Sequence, residues 1–173
     1  MPPLRVVDHM GWHDQGDSRW YLGIPVESGR IRDGDEEHLR SGLREVVANF
    51  GCNPILMPSQ DILLSDIAPE MRAPIETELR DHRITLASDI TPVRRWALAC
   101  PALPTCGLAL TEAELGVAAA DCRYRSRSGA LRARGDTSVD RMTGCPSGCA
   151  QALHRRHRHR RPHARLLCPL RRR

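Results

Sequence analysis

Four of the seven cysteines of this 173-residue chain occur as two closely spaced pairs. Cys100 and Cys106 have the spacing C-x5-C, and Cys145 and Cys149 have the spacing C-x3-C. Four thiolates supplied as two pairs suit a [4Fe–4S] cluster, in which each iron takes one sulfur ligand. Turn-forming residues, which could aim neighbouring sulfurs at one point, flank both pairs: Pro101, Pro104, Gly107, Gly144, Pro146 and Gly148.

Two other chemistries fit the same four thiols. Zinc is bound by cysteine pairs, but its usual spacings run from C-x2-C to C-x4-C, and the first pair lies outside that range. A disulfide framework belongs to oxidising compartments, and the N-terminus has no pattern typical of a secretory signal. From spacing alone, the iron–sulfur, zinc and structural-thiol interpretations all stay open.

The residues around the two pairs favour the first interpretation. The segments Ala99–Glu112 (ACPALPTCGLALTE) and Arg141–Cys149 (RMTGCPSGC) closely resemble the sirohaem and [4Fe–4S] half of the sulfite and nitrite reductase hemoproteins. Within that family, the motif ACPALPTCG is more similar to the ferredoxin-dependent sulfite reductases than to the NADPH-dependent subunits.

The resemblance implies which residues hold the cofactors. The [4Fe–4S] ligands would be the four cysteines named above: Cys100, Cys106, Cys145 and Cys149. The sulfur of Cys149 would also be the axial ligand of the sirohaem iron and so bridge the two cofactors. Further residues implied to bind sirohaem are Thr105, Ser147, Gln60 and His9. The family usually has Asn in place of Ser147, so a hydrogen bond to the macrocycle is expected to be shortened or lost there.

Hydrophobic periodicity predicts an α+β fold for the first half of the chain. Arg19–Val26 and Ile55–Ile67 are rich in strand-forming residues, and Glu36–Phe50 carries an apolar stripe typical of an amphipathic helix that Gly51 ends. A second helix is predicted after Pro69, with one apolar face formed by Met71, Ile75 and Leu79. This order favours an antiparallel sheet with helices on one face.

The same region also resembles the family. Residues 8–13, 23–31 and 63–67 are similar to the second ferredoxin-like repeat of these reductases. We therefore expect three parts: a ferredoxin-like repeat at 1–87, a partial sirohaem and [4Fe–4S] domain at 88–150, and a disordered tail at 151–173. The chain is expected to be the C-terminal half of a family member.

Two segments depart from the family pattern. From Leu115 the family continues as a long amphipathic helix, whereas residues 116–138 have no sustained apolar stripe, and the match ends again after Ala150. The tail is dominated by Arg, His, Pro and Ala, the composition of GC-rich DNA read in the wrong frame. We hypothesise two compensating frame slips around 116–138 and an uncompensated one near 150. Both segments are expected to fold poorly.

The charge distribution narrows the class of partner. All basic residues are arginine, and the net charge is +5. Residues 151–173 carry nine arginines and no acid, so the remainder of the chain is mildly acidic. The tail could bind RNA phosphates, or a metal through its histidines, but it has no aromatic residue for base stacking, which argues against a nucleic-acid partner. No apolar run approaches the roughly 18 residues of a membrane span. A reducing cytoplasm is expected.

Several other conspicuous residues have ordinary interpretations. His9 and His13 lie four positions apart, but Gly11 between them argues against a helical metal site, so they are expected near sirohaem or at the surface. Gln60 and Asp61 fall where the family places polar residues that face the macrocycle, and surface polarity explains them equally well. Cysteines outside the two pairs are expected to be buried thiols or to fall in the suspect segments: Cys52, Cys122 and Cys168.

The resemblance implies an oxidoreductase. It would reduce sulfite to sulfide by six electrons, taken from ferredoxin, at a sirohaem coupled to a [4Fe–4S] cluster. Nitrite reduction on the same cofactors is the alternative, and a zinc-holding binding module with a basic tail is the alternative of another class. The family supplies most of its cationic substrate pocket from its first half, so this chain alone is expected to be weakly active or inactive.

Overall fold

The structure, a computed structural model, describes residues 8–118 and 141–150. These described residues form two compact units, which divide between Ile90 and Thr91. Most of the suspect segment 116–138 and the whole predicted tail at 151–173 lie outside the described residues, as do Cys122, Cys168 and the four tail histidines.

The first unit is built on a four-stranded antiparallel sheet with two helices. Its strand order is β1-β2-β4-β3, and every neighbouring pair is antiparallel. The strands are β1 (Gly11–Asp14), β2 (Trp20–Ile24), β3 (Asn53–Leu56) and β4 (Ile62–Ile67), and the helices are α1 (Leu39–Phe50) and α2 (Arg72–Asp81). Short 3-10 turns occur at Glu27–Gly29 and Pro69–Met71.

The connection from β2 through α1 to β3 is a split β-α-β unit. β4 lies between β2 and β3 and is antiparallel to both, and β1 occupies the sheet edge beside β2. This is the arrangement of ferredoxin-like folds. The predicted α+β class and antiparallel sheet are therefore confirmed.

A hydrophobic core joins this sheet to both helices. Leu22 pairs with Leu64 and Ile24 with Ile62 across β2 and β4, and all four side chains are buried. The helices add further buried side chains to the same cluster: Leu39, Leu43, Val46, Ile75 and Leu79. Full burial of each such side chain stabilises the fold by about 1.5–3 kcal/mol relative to exposure, so α1 and α2 depend on this core.

Helix α1 begins at Leu39, three residues later than the sequence pattern predicts. The side chain of Asp33 accepts hydrogen bonds from the Ser41 amide at 3.0 Å and the Ser41 hydroxyl at 2.8 Å, so it satisfies one of the otherwise unpaired amides of the first turn. The helix ends as predicted: Gly51 adopts φ +65° and donates its N–H to the Val47 carbonyl.

The prediction that Met71 lies on the buried face of α2 was wrong. Its side chain is 41% exposed, whereas Ile75 and Leu79 are fully buried. Residues 69–71 form a 3-10 turn, and α2 begins at Arg72. Because a 3-10 turn has about 3.0 residues per turn and not 3.6, spacing counted back from the helix does not predict the direction of Met71.

The second unit is small and depends on one pair of parallel strands. β5 (Leu98–Ala99) pairs with β6 (Arg141–Met142). Helix α3 (Pro92–Trp96) precedes β5 and is capped by the Thr91 hydroxyl, which accepts the Arg94 N–H at 3.1 Å. A helical turn, α4 (Ala102–Thr105), follows β5, and residues 114–118 are also helical. Among the described residues of this unit, the cluster of buried hydrophobic side chains consists of Leu98, Ala99, Cys100, Ala102, Ala113, Val117 and Ala150.

Among the residues that the structure describes, no helix is long and apolar enough to cross a membrane.

Candidate functional site

The two cysteine pairs lie on loops that are hydrogen-bonded to each other. We call residues 100–111 the first cysteine loop and residues 143–150 the second. The amide of Cys100 donates to the carbonyl of Met142 at 3.0 Å and so continues the β5–β6 ladder. Leu110 and Thr111 donate their amides to the carbonyl of Gly144 at 2.8 and 3.1 Å. The loops are therefore adjacent through their own backbones.

Gly144 lies at the junction of the two loops. Its amide donates to the sulfur of Cys100 at 3.1 Å, and this contact is buried. A Cβ added at Gly144 would lie 2.5 Å from the Thr111 carbonyl oxygen and 2.7 Å from the Ala102 Cβ. Such distances are shorter than atoms of these types tolerate, so only glycine fits this position.

The four paired cysteines have free thiols and differ in exposure. Cys100 is buried, with 7% of its surface exposed, whereas Cys149 is exposed and Cys106 and Cys145 are intermediate. Hydrogen bonds from the Ser147 hydroxyl and backbone lower the pKa of the Cys145 thiol. Ser147 therefore supports the thiolate form of Cys145, an effect that its position in the sequence did not suggest.

The four thiols are suitable ligands for an iron–sulfur centre, but their side chains do not converge on one metal position. Four free thiols on two docked loops are the ligand type and number that a [4Fe–4S] cluster takes. Within residues 8–118 and 141–150, however, no group of three or more His, Cys, Asp or Glu side chains is placed to hold a metal ion. Ligation by all four sulfurs thus requires side-chain or local loop rearrangement, and the ligand assignment stays a prediction.

In the first unit, His9 and His13 both contact the side chain of Tyr21. His9 Nδ1 and the Tyr21 hydroxyl are hydrogen-bonded at 3.0 Å, and the His13 ring stacks on Tyr21 with centroids 5.0 Å apart and planes 15° from parallel. His13 and Tyr21 are cross-strand partners in β1 and β2, and burial raises the pKa of Tyr21. Tyr21 was not among the residues predicted from sequence, since only the strand register could have identified it.

The other predicted sirohaem residues occupy turns. Gln60 lies in the β3–β4 hairpin with φ +73°, and its amide donates to the Met57 carbonyl at 3.0 Å. The neighbouring Asp61 accepts the Val26 amide at 3.2 Å, which gives it a role inside the first unit. Thr105 ends α4 and is exposed. Their predicted contacts with a macrocycle stay predictions.

Curated sulfite reductases are similar to most of this chain. The ferredoxin sulfite reductase of Synechococcus elongatus is 45% identical over 151 residues, which cover 87% of this chain and 24% of that protein. The NADPH sulfite reductase hemoprotein beta-component of Myxococcus xanthus is 37% identical over 147 residues, which cover 83% of this chain and 26% of that protein. The chain thus spans about a quarter of the length of these relatives.

A solved structure agrees on the fold. The NirA protein of Mycobacterium tuberculosis has a TM-score of 0.70 at 20% identity, over 86% of this chain and 27% of that chain. A scan against models of known protein families matches none of them. The similarity to curated relatives extends over more than four-fifths of the chain, and on this basis the chain belongs to the sulfite reductase hemoprotein family.

Proposed function

We propose that this chain is part of a ferredoxin-dependent sulfite reductase and supplies the cysteine ligands of a [4Fe–4S] cluster. The observation that carries the proposal is the docking of the two cysteine loops, with the Gly144 amide on the Cys100 sulfur at 3.1 Å. The 45% identity to a ferredoxin sulfite reductase supports the choice of donor and substrate. Nitrite is the alternative substrate. Free thiols are consistent with a reducing cytoplasm.

The four sulfurs have different tasks in this proposal. Cys100 is buried and already accepts one N–H, so its thiolate would be stabilised by hydrogen bonding on the protein side of the cluster. Cys149 is the exposed member of the set, which supports its assignment as the sulfur that also meets the sirohaem iron. When bound, the cluster would pass electrons from ferredoxin to sirohaem, and sirohaem would bind the oxyanion for reduction.

The remaining proposed contacts orient the macrocycle. Thr105 and Ser147 are exposed residues next to the cysteines. Thr105 would donate its hydroxyl hydrogen to a sirohaem carboxylate, whereas Ser147, whose hydroxyl already bonds to Cys145, would contact the macrocycle without donating that hydrogen. His9 and Gln60 belong to the first unit, and we propose that they contribute polar contacts to the same cofactor. Because this chain spans about a quarter of its relatives, we propose that sulfite reduction needs the remaining parts of the enzyme.

Anaerobic reconstitution of the full chain with ferrous iron and sulfide, followed by visible spectroscopy, tests this proposal. The expected result is the broad visible absorption of a cluster, which bleaches on reduction with dithionite, and a further set of bands when sirohaem is added. A parallel sample reconstituted with zinc provides the comparison, because a zinc thiolate site is colourless. A chain that binds zinc stoichiometrically and develops no iron-dependent absorption would overturn the proposed function.

A further inference from the structure

We propose that Gly144 is a positioning residue that docks the two cysteine loops on each other before any cofactor binds. The inference rests on the proposed thiolate centre, since its purpose is to deliver the ligands of that centre. Four hydrogen bonds meet at this one residue. Its amide donates to Cys100 Sγ at 3.1 Å, and its carbonyl accepts from the Leu110 and Thr111 amides and from the Thr111 hydroxyl at 3.4 Å.

Gly144 makes these hydrogen bonds through its own backbone N–H and carbonyl groups, so no metal is needed to form them. The same junction includes the Cys100 amide, which donates to the Met142 carbonyl at 3.0 Å. Met142 itself packs close to Gly116, where an added Cβ would lie 2.5 Å from the Met142 sulfur. The chain around Gly144 is thus attached to the rest of the second unit through residue 142 as well as residue 144.

A side chain at position 144 would separate the loops. The nearest atom to an added Cβ is the Thr111 carbonyl oxygen, which belongs to the backbone and cannot rotate away as the end of a flexible side chain can. Relief of this contact would move the Gly144 backbone and thereby its hydrogen bonds to Cys100, Leu110 and Thr111. The substitution would therefore remove the hydrogen bonds that join the two loops, while all four thiols would remain in the chain.

Docking has a direct consequence for the proposed centre. A cluster that binds between two loops already hydrogen-bonded to each other needs only side-chain or local loop rearrangement to reach all four thiols. It therefore loses less conformational freedom on binding than one that must gather two separate loops. Docking also makes the thiols differ in solvent exposure, because Cys100 is buried at the junction while Cys149 is exposed. This inequality can be measured without any cofactor.

The experiment is timed alkylation of the cofactor-free full chain with iodoacetamide under anaerobic conditions, with each thiol quantified by peptide mass spectrometry. In the unaltered chain, Cys100 should react about tenfold or more slowly than Cys149, because it reacts only when the junction opens. In Gly144→Ala, Cys100 should react about as fast as Cys106. The matched control is Gly107→Ala, since an added Cβ there meets no atom within 4 Å. This substitution should leave Cys100 more slowly alkylated than Cys149, as in the unaltered chain.

Amide hydrogen exchange of the same cofactor-free, unaltered chain provides a second measurement that does not depend on a variant folding. The amides of Cys100, Leu110 and Gly144 should exchange on the order of 100-fold more slowly than unprotected amides. Exchange at unprotected rates would overturn the inference, and so would slow alkylation of Cys100 in Gly144→Ala.

The two proposals fail in different ways. If the alkylation and exchange patterns are as expected but no iron-dependent absorption forms, the docking stands and the proposed function falls. If the absorption forms but Cys100 is as reactive as Cys149 in the cofactor-free chain, the proposed function stands and the docking inference falls.

Discussion

The guanidinium of Arg72 lies 3.8 Å from the ring centroid of Trp20 and 5.0 Å from that of Trp12. Arg72 is the first residue of α2, whereas the two tryptophans lie on β2 and β1, so this stack fastens the helix to the sheet. The Nε of Arg72 is buried without a hydrogen-bond partner. Stacking on the two rings therefore accounts for the placement of this charge.

We expect Arg72→Ala to lower the free energy of unfolding by about 1–3 kcal/mol, since it removes two cation–π contacts and the packing of the side-chain stem. Urea unfolding followed by tryptophan fluorescence measures the change. The matched control is Arg80→Ala on the same helix. Its ion pairs with Glu76 and Asp89 are largely exposed, and each should contribute about 0.5 kcal/mol or less. Equal effects of the two substitutions would show that the stack does not stabilise the fold.

A second prediction concerns Gly42 in α1. An added Cβ would lie 2.7 Å from Ile84 Cδ1 and 2.8 Å from His82 Cβ. Although alanine favours helix, Gly42→Ala is expected to destabilise the first unit by about 1–3 kcal/mol through overpacking. Gly34→Ala is the control, because its Cβ would meet only the Glu37 carbonyl oxygen at an ordinary 3.7 Å. A Gly42→Ala chain that unfolds at the same or higher urea concentration would contradict the packing described.

The acid stability of the first unit should depend on Asp66. Hydrogen bonds from the side chains of Asn53, Gln15 and Ser65 hold the pKa of Asp66 below its ordinary value of 3.8. A carboxyl whose folded-state pKa is depressed contributes stability that is complete above the unfolded pKa and is lost as pH falls through the folded pKa. Part of the decline in unfolding free energy below about pH 4 is therefore assigned to this group.

Unfolding free energy measured against pH tests this assignment. Asp66→Asn should be less stable at neutral pH and show a shallower decline in acid, because it has no proton to take up. Asn53→Ala removes the hydrogen bond that contributes most to the lowered pKa of Asp66, so the acid decline in unfolding free energy should move toward pH 3.8. If unfolding free energy declines identically in acid for Asp66→Asn and the unaltered chain, the decline is caused by other carboxyl groups.

The sequence predicted those features that depend on local period and composition. The stripe over Leu43, Val46 and Phe50 indicated α1 because a 3.6-residue period is visible within one segment, and Gly51 indicated its end. The cysteine loops were identified from the residues around Cys100 and Cys145. The α+β class followed from these patterns, whereas family membership was implied by the resemblance of the segments around Cys100 and Cys145; both are confirmed.

Features that depend on contacts between distant segments could not be predicted in the same way. The stacking of His13 on Tyr21 follows from the register of β1 and β2, which the sequence does not state. The hydrogen bond from Gly144 to Cys100 joins residues 44 positions apart. Met71 was misplaced because a 3-10 turn interrupts the helical phase before α2.

The most direct test of the central claim is the iron and acid-labile sulfide content of single cysteine variants after identical anaerobic reconstitution. The unaltered chain and Cys52→Ala, whose thiol is buried in the first unit, should each hold about four iron and four sulfide per chain. Alanine at any one of Cys100, Cys106, Cys145 or Cys149 should reduce both contents strongly. Full iron and sulfide content in the variants of either pair would contradict a single cluster shared by the two loops.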